Sequence, residues 1–165
     1  MDCSNHTSDF VAYLRSDDND ELYSHVNTYS HFICELPKRV RLSACEGKVW
    51  TGAITDLLIL DASSGYSYSL PQSAVILCSI AEPSIIKSFY RPVLRQFWTG
   101  EGGEQPNLGE ITYVPVSEHS FQRIIFDVLD HHLKPLNLAT WKSRALRETA
   151  KIVISLTLHF QLAAL

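Results

Sequence analysis

Asp130 is followed at once by His131 and His132, and imidazole and carboxylate are common metal ligands. A stable site needs a third convergent ligand, and none stands at a recognisable spacing. Both histidines run into Leu133-Lys134-Pro135, a strand-to-loop exit, so they read as exposed turn residues. The acidic run Asp17-Asp18-Asn19-Asp20-Glu21 has the composition of half a calcium loop. Leu22 stands where such a loop needs glycine, however, and Thr28 where it needs a bidentate glutamate, so a solvated turn is expected. Ser63-Ser64-Gly65 lacks the leading glycine and the strand-turn-helix setting of a serine nucleophile. Gly100-Glu101-Gly102-Gly103-Glu104 carries two carboxylates and no lysine, and would repel a phosphate. His25, His31, His119 and His159 are scattered. Cys3, Cys34, Cys45 and Cys78 never form a C-x-x-C pair and read as buried thiols in a reducing compartment. The chain is expected to be no enzyme and to need no cofactor and no metal.

What the residues favour instead is a contact surface. Cations gather at Lys38, Arg39 and Arg41, at Arg91 and Arg95, and at Lys142, Arg144, Arg147 and Lys151. They interleave with Phe89, Tyr90, Trp98 and Trp141, and arginine and aromatic side chains are enriched where proteins meet. Arg91, Arg95, Trp98, Trp141, Arg144 and Arg147 are therefore the candidate residues of a subunit interface, set against the plainer alternative of solvated loops.

The chain has 165 residues, 45% hydrophobic, 10% aromatic and 19% charged. That length suits one domain, 1–165, with residues 1–8 as an N-terminal arm. A chain of this size buries roughly 68–70% of its unfolded surface and needs no disulfide or metal to hold together. Lys and Arg total 14 against 18 Asp and Glu, a net charge of -4, which disfavours dedicated nucleic-acid binding. The opening residues lack the charged and apolar regions of a secretory signal. The longest apolar stretches, such as Ala74 to Cys78, fall far short of the ~20 residues of a spanning helix, so no membrane span is expected.

The elements that would position these residues are mostly strands. Large apolar side chains alternate in Phe10 to Leu14 and again in His31 to Leu36, which should stop at Pro37 because proline cannot donate to a ladder. Val49 to Leu60 reads as one bent strand or two, with a bulge at Gly52. Tyr66 to Leu70, Ala74 to Ile80, Pro92 to Trp98, Ile111 to Val116, Arg123 to Leu129 and Ile152 to Phe160 follow, and 74–80 reads as buried on both faces. Thr99 to Gly109 is the clearest loop. Over 139–150, one short helix or a long loop fits equally. About eight short strands without intervening helical periods predict an all-β fold, a sandwich or barrel rather than a doubly wound sheet.

Read in order, several segments resemble a known family. Asp9 to Leu14, Asn27-Thr28-Tyr29-Ser30-His31-Phe32, Glu35-Leu36-Pro37-Lys38 and Val40-Arg41-Leu42 are similar to the "F-x-V-x-L … N-T … F-x-x-x-L-P-x-x-I-x-L" opening of the minor capsid, or penton, proteins of Polinton (Maverick) elements and related double-stranded DNA viruses. Val49 to Asp56 resembles that family's "W-E-V-G-L-x-E" strand, and Cys78 to Pro83 with Arg91 to Arg95 resembles "C-D-I-x-E-P … x-P-L-L-R". Tyr113 to Val116, Phe121 to Asp130, Pro135-Leu136 and Leu156 to Phe160 resemble "Y-x-P-V … F-x-x-I-x-I-x-I-x-D … x-P-L … V-T-L-H-F". The collinear order from Asp9 to Phe160 is the specific signal. The departures bear on loop contacts rather than on the core: Thr51 stands where the pattern has an acidic residue, His131 to Lys134 replace a glycine, 139–151 is longer and 57–74 is shorter than the pattern.

The resemblance implies a single jelly roll of two four-stranded sheets. It implies a structural capsid protein of the virion, a homopentamer at the vertices of an icosahedral shell beside a double-jelly-roll major capsid protein. Two other outcomes fit the same residues. One is another capsid component on this fold, a spike or cement protein. The other is a non-capsid jelly-roll binding module, with Tyr66, Tyr68 and Trp98 as a sugar platform. A metal enzyme of the cupin type would rest on the histidines alone.

Overall fold

Period-two alternation of apolar side chains becomes strands wherever one face can be buried. The computed structural model describes residues 9–43, 46–61, 67–68, 73–97, 108–136 and 152–164, and within these it is almost entirely β. Chain order is β1 (Asp9–Arg15), α1 (Asp20–Tyr23), β2 (His31–Arg41), β3 (Lys48–Asp61), β4 (Ser67–Tyr68) and β5 (Ala74–Cys78). Then come β6 (Ser84–Ile86), β7 (Phe89–Arg91), β8 (Val93–Phe97), β9 (Val114–Pro115), β10 (Ser120–Asp130) and β11 (Ile152–Ala164).

Two antiparallel sheets form a jelly-roll-like sandwich. One has the order β1-β11-β3-β4, with β9 also pairing β3; the other has the order β2-β10-β5-β8. The first sheet thus has five strands rather than the expected four, because β3 is long enough to carry β4 at Ile59 and Leu60 and β9 at Thr51 and Gly52. The chain crosses repeatedly between the sheets, so β11 lies between β1 and β3, and β10 between β2 and β5. One core fills the space between. Phe32 stacks on Phe126 at 5.0 Å, Phe10 on Phe160 at 4.6 Å, and Phe121 of the second sheet meets Phe160 of the first at 5.8 Å. All of these rings except Phe10 are buried.

Three local expectations are corrected. The second strand does not stop at Pro37: β2 continues to Arg41. Its pairing with β10 slips between Glu35 opposite Arg123 and Val40 opposite Phe121, and Pro37 falls in that slip, where no ladder donor is required. Gly52 is not a bulge. It pairs in register with Phe160, while the irregularity lies at Thr55, left over between Ile54 opposite Leu158 and Asp56 opposite Thr157. The acidic run is not all turn, since Asp20–Tyr23 forms a single helical turn. Asn19 leaves that helix uncapped because its Oδ1 accepts the Glu35 amide at 2.7 Å instead.

The strand 74–80 is buried along its whole length, as its composition predicts, but ends at Cys78. The expected strand 111–116 is reduced to Val114–Pro115. Residues 139–150 and the arm 1–8 lie outside the described residues.

Candidate functional site

Pro83 and Pro92 bracket the sequence Ser84-Ile85-Ile86-Lys87-Ser88-Phe89-Tyr90-Arg91. Its β-branched and aromatic halves pair as a two-stranded ribbon, β6 with β7, in the register Ser84 to Arg91, Ile85 to Tyr90 and Ile86 to Phe89. Lys87 and Ser88 close it with positive φ angles of 45° and 69°, the geometry of a tight hairpin turn. Neither is glycine or asparagine, the residues that make such a turn readable, and this ribbon is an element the sequence reading missed.

The ribbon lies beside the β5 residue Leu77. An open cleft there is lined by Leu77, Ile86, Phe89, Leu129 and Leu133 together with the polar Arg91, Asp127 and His132. The Lys87 ammonium donates to the His131 carbonyl and ties the turn to the loop after β10. The other side of the ribbon faces solvent, with Ile85 78% exposed and Tyr90 70%. Its outer backbone edges have no strand partner among the described residues.

The six candidate interface residues separate. Arg91 is exposed at the end of the ribbon. Arg95 is 7% exposed inside β8, where its guanidinium donates to the Glu110 carbonyl at 2.6 Å and braces the segment that leads into β9. It is an internal tie of the monomer rather than a surface group. Its Nε is buried with no hydrogen-bond partner among the described residues. Trp98, Trp141, Arg144 and Arg147 lie outside the described residues.

A second exposed apolar feature sits on β1, an edge strand paired only with β11 among the described residues. Alternation turns Asp9, Val11, Tyr13 and Arg15 outward, and Tyr13 is 80% exposed. Asp18 and Glu21, both exposed, follow it in the chain, as does exposed Leu22.

Two histidines, His31 and His159, are held by neighbours. His31 donates to Asp127 at 2.7 Å across β2 and β10. His159 lies between Tyr113, with which it shares a 2.5 Å hydrogen bond, and Asp9, whose carboxylate is 3.6 Å from its other ring nitrogen. These three groups could pass a proton, and they also clasp β1, β11 and the approach to β9. The rings of His131 and His132 lie 3.8 Å apart in the turn after β10. Burial works against the charge of Asp130 in that turn, yet the amides of Lys134 and His132 prevail and hold its carboxyl below its ordinary value. Among the described residues, no group of three or more histidine, cysteine or acidic side chains is placed to hold a metal ion.

Cys34 and Cys78 are buried free thiols on β2 and β5 of the second sheet, on either side of β10, and burial pushes each up to about 12. Cys3 and Cys45 lie outside the described residues. No helix among the described residues is long and apolar enough to cross a membrane. In comparisons with known proteins, no family model matches the chain and no curated protein matches it.

Proposed function

We propose that this chain is a structural subunit of an icosahedral shell, a single jelly roll that assembles in fives at the vertices beside a double-jelly-roll major capsid protein. The observation that carries the reading is the pair of antiparallel sheets, β1-β11-β3-β4 with β9 also on β3 and β2-β10-β5-β8, around one shared core. A sandwich of two antiparallel sheets is what the sequence resemblance leads one to expect, and it supports this reading. In such a protein function lies in surfaces. Wedge-shaped sandwiches present edges and loops to their neighbours, and a head-to-tail contact that closes after a fixed rotation builds a ring.

Light scattering of the purified chain across concentration tests this. A species of five-subunit mass is expected, together with recovery of the chain at the vertices of purified particles. A monomer under all assembly conditions, combined with absence from particles, overturns it. A position away from the vertices would instead make the chain a spike or cement protein.

A further inference from the structure

The large apolar side chains exposed among the described residues are not scattered. Apart from Leu22 in α1 and Ile111, they fall in two places: Val11 and Tyr13 on β1, and Ile85, Phe89 and Tyr90 on the β6–β7 ribbon. Single exposed apolar residues are ordinary, but clusters of aromatic and branched side chains on free strand edges mark contact surfaces.

The two clusters differ in charge. From Ser84 to Arg91 the ribbon carries Lys87 and Arg91 and no acid. The β1 edge begins with exposed Asp9 and is followed in the chain by exposed Asp18 and Glu21, and its one cation, Arg15, is paired with Asp17. Each place also has backbone edges without a strand partner among the described residues.

We infer that the β6–β7 ribbon of one copy docks on the β1 edge of a second copy, a cationic apolar surface meeting an acidic apolar one. The occupant is another molecule of the same chain because both complementary surfaces are present on it. A contact between unlike surfaces is heterologous, and leaves each copy with one free ribbon and one free edge for further neighbours. Two-fold pairing would leave no such continuation. Closure of this contact into a ring rests on the vertex reading above; the contact itself does not. Apolar burial of Tyr13, Ile85 and Tyr90 would supply most of the attraction, and the charges would select the partner and orientation.

A charge-swap experiment tests the contact. Lys87→Glu/Arg91→Glu reverses the ribbon and Asp9→Lys/Glu21→Lys reverses the edge. All four positions are exposed. Lys87 also donates to the His131 carbonyl and Asp9 lies beside His159, so the single variants Arg91→Glu and Glu21→Lys, which keep both ties, are measured beside the doubles, with circular dichroism of each. In sedimentation velocity each double variant alone should associate at least about tenfold more weakly than the wild type. An equimolar mixture of the two, and a chain carrying both reversals, should recover association.

Failure of the contact and failure of the vertex reading look different. Five-subunit species that both double variants form as well as the wild type would overturn the contact and leave the vertex reading standing. Association that needs the ribbon but grows into open chains would uphold the contact and overturn the closed ring. A wild type that stays monomeric at every concentration would overturn the contact.

Discussion

The ring of Phe160 lies directly over the backbone of Gly52: a Cβ built on that glycine would stand 3.4 Å from Phe160 Cε1. The two residues are register partners on β11 and β3, and Phe160 is also stacked on Phe10 and tilted against Phe121 of the opposite sheet. A small residue at position 52 therefore lets one ring bridge both layers of the sandwich.

A methyl group at Gly52 makes only ordinary van der Waals contact, with Val116 Cγ2 next at 3.6 Å, while a longer side chain has nowhere to go. Gly52→Ala should therefore leave stability within about 0.5 kcal/mol. Gly52→Leu should cost about 1–3 kcal/mol by forcing Phe160 off its place. Urea denaturation of both variants checks this. Equal losses for alanine and leucine would mean that the backbone, and not the ring, sets the need for glycine.

Arg91 and Arg95 are four residues apart and should behave differently. Arg95 is buried and its guanidinium holds the Glu110 carbonyl, so Arg95→Ala should lower unfolding stability by about 1–3 kcal/mol through loss of that charge-assisted hydrogen bond. Arg91 is exposed on the ribbon, and Arg91→Ala should change stability by no more than about 0.5 kcal/mol while weakening self-association. Thermal unfolding and sedimentation of the two variants separate the roles. A stable Arg95→Ala chain that fails only to associate would return Arg95 to the interface.

Burial holds the Cys34 and Cys78 thiols neutral up to about 12, against an ordinary value of 9.0. In the unfolded chain they ionise near the ordinary value, so between these limits the native state binds more protons. Their contribution to stability is complete below pH 9.0, declines as pH rises above it and is gone above about 12. The unfolding free energy of a Cys34→Ala/Cys78→Ala variant should accordingly fall less steeply above pH 9.0 than that of the wild type. Iodoacetamide should label both thiols only in denaturant. Labelling at the native rate of a free thiol would show that the core opens.

Much of the strand content was legible because alternation is a local property. Phe10 to Leu14, His31 to Leu36, Val49 to Leu60 and Arg123 to Leu129 all became strands, and Ala74 to Cys78 could be read as doubly buried from its unbroken apolar composition. The ribbon was hidden because Lys87 and Ser88 adopt a turn that their residue types do not advertise. Thr55 was hidden as the bulge because a bulge depends on the partner strand, and β11 is about one hundred residues away in the chain.

The candidate interface was only half legible, for a related reason. Residue type marked Arg91 and Arg95 alike as interface cations, and composition has no means to tell an arginine that faces solvent from one that turns inward to a carbonyl. The sequence by itself determined an all-β chain, the alternating faces of its strands and the absence of any local catalytic motif, since these follow from side-chain chemistry and near-neighbour spacing. Only the tertiary structure decided which strands became neighbours, that Pro37 could remain inside a strand and that Arg95 would be buried. It also decided that two apolar clusters would stay exposed, because long-range pairing chooses which face each strand turns to the core.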